Sequence, residues 1–502
     1  MTYQSPIQPQ AARVSAAKTR KGLLSASSWA AALGAGVIAF GIWAGTNRPV
    51  TDIAPYNGTI GGFAFSPFHA GESPETNHYP TQAEIKSDLA LAAQHTKNIR
   101  TYTVEGDLGS IPALAEGMGL NVTLGAWLDR HDDANAAELA KVVQVANANP
   151  DVKQIMVGNE TVLRGDVAVP ELIADIKLVK SETHVPVSTA EPWHVWLKYP
   201  QLANSVDFIT VHLLPYWEGV PEQGALADAE HRLAQLHQAF PNKRIVIGEI
   251  GWPSDGIDIG AARASNVNQA RFMRDFFNYA QANHIDYFVM EAFDQPWKTS
   301  FEGRAAGYWG MFTLDRHQKW SLTGPVENNP SWIFYALGSV ALMLAATMAL
   351  LSRRPDMRFV GKALFATLVQ GFGAALALLF MTMGETYLSV TAAAVWGGLA
   401  LGQGLLLFLL IADSFDLVET IFGRVQKRHF EPIPAPAGAK LPKVSIHLPI
   451  CNEPPQMVRL TLDALANLDY ENFEVLVIDN NTMDPHIWEP VAEHCARLGP
   501  KF

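Results

Sequence analysis

Two stretches, Val157-Gly158-Asn159-Glu160 and Ile247-Gly248-Glu249-Ile250-Gly251-Trp252-Pro253-Ser254, each read as a short apolar strand with a glutamate near its end. A carboxylate at the tip of a buried strand is expensive without a partner, so a purely structural role would need one for each. Two such carboxylates on neighbouring strand tips suit glycosidic bond cleavage with retention. One, with a raised pKa, protonates the leaving oxygen while the other attacks the anomeric carbon. Glu160 and Glu249 are therefore the candidate catalytic pair, and water or another sugar hydroxyl would release the glycosyl enzyme.

The surrounding segment must place them. Candidate strands run over residues 61–66, 98–103, 120–125, 153–158, 185–190, 206–212, 244–249 and 285–293. Between them, 82–95, 135–147, 170–182, 225–240 and 266–283 carry apolar residues at helical spacing. Eight strands alternating with helices over about 250 residues predict an α/β fold, a (β/α)8 TIM barrel with its site at the carboxyl ends of the strands. A doubly wound sheet is the alternative, but the glycine-rich phosphate turn of that class is missing. The strand ends then map a rim of aromatic and acidic residues. Tyr102 ends the second strand, Trp127 the third, Asn159-Glu160 the fourth, and His212 the sixth with Tyr216 and Trp217 beyond. Glu249 and Trp252 end the seventh; Glu291, Asp294, Trp297 and Lys298 end the eighth. Sugar rings stack their C–H faces on aromatics and need fixed hydrogen bonds at their hydroxyls, which this mixture supplies. Each ring or the histidine could equally be an ordinary core or rim residue.

Ile99-Arg100-Thr101-Tyr102, Asn159-Glu160, Glu249-Ile250-Gly251-Trp252-Pro253-Ser254 and Phe293-Asp294-Gln295-Pro296-Trp297-Lys298 together resemble glycoside hydrolase family 17, the β-1,3-glucanase family. The resemblance implies Glu160 as acid/base, Glu249 as nucleophile and Asn159 as the group holding the sugar 2-hydroxyl. It also implies Tyr102, Tyr216, Trp252, Glu291 and Lys298 as cleft residues, and a β-glucan chain as partner. Ile250 and Gln295 depart from the pattern of plant members, which bears on subsites and linkage and leaves the nucleophile intact. This chemistry calls for no cofactor or metal in the barrel.

Four uncharged apolar runs stand apart from the mixed composition of the barrel: 23–45, 332–351, 363–384 and 388–412. Each is long enough to cross a ~30 Å hydrocarbon core as a helix. The first reads as an uncleaved anchor, being longer than the apolar stretch of a cleaved signal peptide. Basic clusters at Arg13, Lys18, Arg20 and Lys21, at Arg353, Arg354, Arg358 and Lys362, and at Arg424, Lys427 and Arg428 alternate with the spans. By the positive-inside rule the tail 1–22 and everything from 413 are cytoplasmic, while 46–331 is exported, into the periplasm if the cell is Gram-negative. A multi-pass protein of the inner (plasma) membrane follows, with the lipid bilayer as a partner. Both cysteines, Cys451 and Cys495, fall in the cytoplasmic part, so the exported segment has no disulfide framework. At about 280 residues it is large enough to fold on one core.

After a linker, 413–442 and proline-rich from 431, residues 443–502 open with Val444 to Glu453, a helix-like stretch 454–468 and a strand 473–478 ending in Asp479. A β-α-β unit with acidic strand ends fits nucleotide binding at the carboxyl edge of a parallel sheet. It resembles the start of a glycosyltransferase family 2 domain, with Pro449, Asn452, Glu453 and Asp479 at nucleotide-binding positions. A nucleotide sugar, UDP-glucose being the expected one, and a divalent metal are implied for the complete transferase. Asp-x-Asp and Gln-x-x-Arg-Trp motifs are absent from these residues, so the tail is expected to be the truncated beginning of a synthase and not to transfer sugar alone.

These readings predict a retaining β-1,3-glucan-active transglycosylase that trims, branches or closes exported glucan. A plain endo-glucanase is one alternative. A non-catalytic glucan-binding barrel serving a processive transferase is another. The formal charge of -12 offers nucleic acid no basic face. Oligomeric state is left open.

Overall fold

The computed structural model describes residues 25–423, 438 and 440–502. The N-terminal basic residues up to Lys21, the cluster Arg424, Lys427 and Arg428, and most of the proline-rich linker lie outside them. Two units divide the chain near residue 424.

In the first unit, eight parallel strands close into a barrel: β1 (Phe63–Ala64), β2 (Asn98–Arg100), β3 (Asn121–Ala126), β4 (Val152–Asn159), β5 (Val187–Pro192), β6 (Ile209–Leu213), β7 (Ile245–Ile250) and β8 (Tyr287–Val289). Phe63 closes the ring by pairing with Ile99 on one side and Val289 on the other. The apolar runs of β3, β6 and β7 are buried almost throughout, as strands covered on both faces must be. Around them lie α2 (Gln82–Ala92), α3 (Asp132–Ala148), α4 (Val169–Glu182), α5 (Glu222–Ala239) and α6 (Asn266–Asn283), following the membrane-type helix α1 (Ala26–Thr46). Helix α2 starts at a reciprocal Thr81–Glu84 capping box. Helix α6 presents Phe272, Phe276 and Phe277 to the core. Gly125 lets β3 approach β2, since a Cβ there would lie 2.2 Å from the Thr101 carbonyl oxygen.

All eight expected strands are present, but the last is shorter than residues 285–293. After Met290 the chain leaves the ladder with β7 and pairs with segment 309–312. The Glu291 N–H donates to the Trp309 carbonyl at 3.1 Å, Met311 N–H to the Glu291 carbonyl at 2.9 Å, and Asp294 N–H to the Phe312 carbonyl at 3.0 Å.

Four helices are long and apolar enough to cross a membrane: α1, α7 (Trp332–Leu351), α8 (Phe359–Glu385) and α9 (Val390–Phe422). Trp43 of α1, Trp332 and Ala336 of α7, and Ala377 and Met381 of α8 form one packed cluster. Two expectations need correction. Lys362, expected in a loop, lies on α8, buried, and donates to Ser25 Oγ (2.9 Å), Ser27 Oγ (3.1 Å) and the Pro355 carbonyl (2.9 Å). Helix α9 continues ten residues past Ala412, so Asp413, Asp416 and Glu419 belong to a helix and not to a linker. Acidic residues end an apolar run without ending helical hydrogen bonding.

The second unit holds parallel strands β9 (Val444–Ile450) and β10 (Phe473–Asp479) with α10 (Pro455–Ala466) and α11 (Pro485–Leu498). Ile450, Val458, Leu462, Phe473, Val475 and Val491 form its small core, while Leu460, Leu476, Ile478 and Met483 stay exposed.

Candidate active site

Glu249 sits one residue before the end of β7, and its side chain is nearly buried. Tyr102, beyond β2, donates its hydroxyl to Glu249 Oε1 at 2.8 Å, and Arg100, on β2, reaches the same oxygen at 3.0 Å. Arg100 is itself buried. It also donates to the Gly248 carbonyl at 2.9 Å and to the Asn159 amide oxygen. Burial alone would raise the Glu249 carboxyl, but His212 and Arg100 outweigh it and hold the group below the usual carboxylate range.

Glu160 follows β4 with a left-handed backbone, φ 53°, a conformation that non-glycine residues take where the surrounding structure imposes it. Its N–H donates to the Ala190 carbonyl of β5 at 2.7 Å. Nearly a quarter of its side chain is exposed, against 6% for Glu249, so it faces the open cleft while Glu249 forms the floor. His212 of β6 joins them: Nδ1 lies 2.8 Å from Glu160 Oε1 and 3.5 Å from Glu249 Oε2, while Nε2 is buried without a partner. One carboxylate oxygen of Glu160, one of Glu249 and a ring nitrogen of His212 all lie within 4.8 Å of one another. This is the spacing at which a cation could be held, but Arg100 already occupies one oxygen of Glu249.

Glu291 and Lys298 form a second buried pair, with Lys298 Nζ 3.0 Å from both carboxylate oxygens. Burial pushes Glu291 up to about 7 against the opposing effect of Lys298. Burial also works against the Lys298 charge, yet Glu291 outweighs it and holds the amine above the usual lysine range. Trp127 is exposed at the rim with the Arg164 guanidinium 4.2 Å from its ring centroid. Trp297 is partly exposed and donates its indole N–H to Gln295 at 2.6 Å.

Three expected cleft residues are placed otherwise. Tyr216 and Trp252 are fully buried, their rings packed edge to face at 5.4 Å. Tyr216 donates its hydroxyl to the Ile257 carbonyl, and Trp252 its indole N–H to the Arg263 carbonyl at 2.9 Å. Both brace loops and offer a sugar no surface. Asp294 is also buried, 2.6 Å from Lys319 Nζ. The exposed ring on this side is Trp217, stacked on Trp309 at 5.7 Å.

Three residues at the site were not among the expected ones: Arg100, His212 as a link between the glutamates, and Glu191. Glu191, on β5, is buried. Its carboxylate accepts the Val162 N–H at 2.7 Å and the Leu163 N–H at 3.2 Å, in the first turn behind Glu160. Burial pushes it up to about 7 against those two hydrogen bonds, and the charge of Glu160 raises it further. Glu191 is an acid at a strand end like Glu160 and Glu249, but Ser188 and Thr189 interrupt the apolar run that singled those two out. We predict that Glu191→Ala lowers the melting temperature, because the Val162 and Leu163 N–H groups behind Glu160 lose their acceptor. Glu191→Gln keeps an acceptor for the backbone and should lower it less. A melting temperature unchanged in Glu191→Ala contradicts that role.

In the second unit, Asn452 and Asp479 meet at the carboxyl edge of the sheet. The Asn452 N–H donates to Thr482 Oγ1 at 3.0 Å, and that hydroxyl donates to Asp479 at 2.5 Å. Glu453 folds back onto the Cys451 N–H, and Pro449 lies within β9 opposite Ile478.

A closed parallel barrel with two strand-tip glutamates sharing one histidine defines a glycoside hydrolase domain of the (β/α)8 class. Residues 62–310 match the BtgE/BtgC glycoside hydrolase domain model, and residues 445–502 match that of glycosyl transferase family 2. A glucan 1,3-beta-glucosidase of Arthroderma benhamiae is 32% identical over 265 residues, covering 48% of this chain and 84% of that one. Glucan 1,3-beta-glucosidase BGL2 of Candida albicans is 26% identical, covering 51% and 91%. Against the probable glucan endo-1,3-beta-glucosidase btgC of Aspergillus clavatus the identity is 27%, and the chain spans only 40% of that protein's length. Among solved structures, a family 17 β-1,3-glucanosyltransferase from Rhizomucor miehei superimposes with TM-score 0.47 and 26% identity, covering 53% of this chain and 98% of that one. The chain belongs to glycoside hydrolase family 17 through its barrel.

Proposed function

We propose that the barrel is a retaining β-1,3-glucan-active enzyme working as a transglycosylase on glucan exported at a membrane. The observation that carries this reading is that one carboxylate oxygen of Glu160 and one of Glu249 lie within 4.8 Å of each other. So close an approach favours the roughly 5 Å separation of the carboxyl groups in retaining enzymes over the roughly 6.5–9.5 Å at which an inverting pair admits water. The names of the relatives supply the substrate class.

Glu249, kept ionised by His212 and Arg100, is the nucleophile. Glu160, nearer solvent and hydrogen-bonded to His212, gives its proton to the leaving oxygen and later takes one from the acceptor. Asn159, held by Arg100 through its amide oxygen, keeps its NH2 group for the sugar 2-hydroxyl. Trp127 and Trp297 offer stacking faces, and the Glu291–Lys298 pair lies beside the nucleophile. Four apolar helices and a family 2 segment on the same chain support a membrane glucan synthase in which polymer made on one side is remodelled on the other. In that arrangement 46–331 is extracytoplasmic, in the periplasm of a Gram-negative cell, and the second unit is cytoplasmic. Pro449, Asn452, Glu453 and Asp479 would serve a nucleotide sugar there, with a divalent metal in the whole transferase.

Incubating the detergent-solubilised chain with laminari-oligosaccharides of one length decides between acceptors. Products longer than the substrate are expected. Shorter products alone would make the enzyme a hydrolase, and no turnover would overturn both.

A further inference from the structure

The short link between α8 and α9 enters the barrel. Tyr387 donates its hydroxyl to Asp294 Oδ2 at 2.9 Å and accepts the Leu314 N–H at 2.9 Å, and its own N–H donates to the Tyr308 hydroxyl at 2.9 Å. Its ring stacks on that of Tyr308, centroids 5.0 Å apart and 24° between planes. One residue earlier, Thr386 Oγ1 accepts from Arg304 at 3.2 Å, and Arg304 also pairs with Asp255 of the β7 loop at 2.5 Å.

Asp294 gives this contact its consequence. Its Oδ1 accepts from Lys319 Nζ at 2.6 Å and from the Gly310 N–H at 3.0 Å, while Oδ2 accepts the Tyr387 hydroxyl. Lys319 in turn donates to Ser254 Oγ at 2.7 Å and to the Tyr308 carbonyl at 3.1 Å. The link thus completes a buried polar network that ties the β7 loop, the β8 loop and segment 308–314 together. That segment pairs directly with Glu291, through Trp309 and Met311, and Glu291 holds Lys298, whose charge acts on Glu249. A buried network with one member removed leaves a desolvated group unpaired, so it shifts as a unit.

We infer that Tyr387 is a positioning residue for the barrel's cleft: delivered by two membrane-type helices, it locks segment 308–314 and thereby the placement of Glu291 and Lys298 against Glu249. The barrel's site is therefore complete only with α8 and α9 in place. The inference rests on the glucan reading for its kinetic assay alone.

The test compares the full chain in detergent with Tyr387→Phe, which keeps the ring, with Tyr387→Ala, and with Ser389→Ala, which alters the cap of α9 without touching the barrel. Amide exchange over residues 308–319 is read beside kcat and KM on laminari-oligosaccharides, well below the melting temperature. Tyr387→Phe is expected to speed exchange of that segment by about tenfold or more. It should lower kcat by about tenfold with KM within about twofold, as small misplacements of catalytic groups do; Tyr387→Ala should go further, and Ser389→Ala should match the wild type. Unchanged exchange in both Tyr387 variants overturns the inference, as does faster exchange with kcat unaltered, which would make the link a fastening only. A wild-type chain without turnover sinks the glucan reading instead, and exchange then decides the clamp by itself. If Tyr387→Ala does not fold, Tyr387→Phe carries the test.

Discussion

Glu249→Gln should abolish turnover while the barrel stays folded. The amide still accepts from Tyr102 and Arg100 but cannot attack an anomeric carbon, so the expected loss in kcat is roughly 10^4–10^6-fold, as for removal of other essential catalytic groups. Alanine is the harsher change. It strips Arg100 of its buried counter-charge and leaves the guanidinium with only the Gly248 carbonyl and the Asn159 amide oxygen. Breaking a buried pair from one side costs about 3–5 kcal/mol, so Glu249→Ala will lose stability together with activity. The space it opens allows a sharper assignment. Azide added to Glu249→Ala should give the α-glycosyl azide, whereas azide added to Glu160→Ala should give the β-anomer, because only the first attacks in place of the nucleophile. Wild-type turnover by Glu249→Gln removes Glu249 from the role.

Arg100→Met carries the second large effect, on stability and on pH dependence together. The guanidinium is 1% exposed and bonds three groups, one of them ionised, so its loss should cost about 3–5 kcal/mol, or about 6–20 °C in melting temperature for a domain of this size. In the native barrel the Glu249 carboxyl is held below its ordinary value. Its ionised form therefore contributes stability that is present above the unfolded-state value near 4.5 and is lost as pH falls through the lower folded value. Without Arg100, burial opposes ionisation with less to counter it. That stabilisation shrinks, and the acid limb of kcat/KM moves to higher pH. Calorimetry across pH and a pH–rate profile read the two consequences separately. An unchanged melting temperature, or an acid limb that stays in place, would show that Arg100 is not what holds Glu249 ionised.

Why the barrel was readable and part of its site was not follows from particular residues. Most strands carry an apolar run set off by polar turns, and α6 matches its expected bounds from Asn266 to Asn283, because core burial dictates residue type there. Strand ends are less constrained by burial. Only Phe63–Ala64 of the first candidate run pairs, and the eighth run breaks after Val289 when Glu291 turns to segment 309–312. Tyr216 and Trp252 mislead because a ring at a strand end can turn to the cleft or to the core, and sequence records the ring without its rotamer. Both turn inward. Glu191 carried only a weaker form of the catalytic pair's signal, because Ser188 and Thr189 break the apolar run before it. Arg100 lay inside the family motif, but its burial at the centre of the barrel is a property of closure and not of spacing. Tyr387 had no local signal at all: in a link of a few residues between two apolar helices, its meaning comes from a partner 93 positions away.

Whether Glu160 and Glu249 act together with retention on β-1,3-glucan is read from the first minutes of laminari-oligosaccharide turnover, followed by proton NMR before mutarotation mixes the anomers. The separation of the two carboxylates predicts that the β-anomer of the new reducing end, or a new β-linkage, appears first and the α-anomer only later. An α-anomer formed first would contradict it.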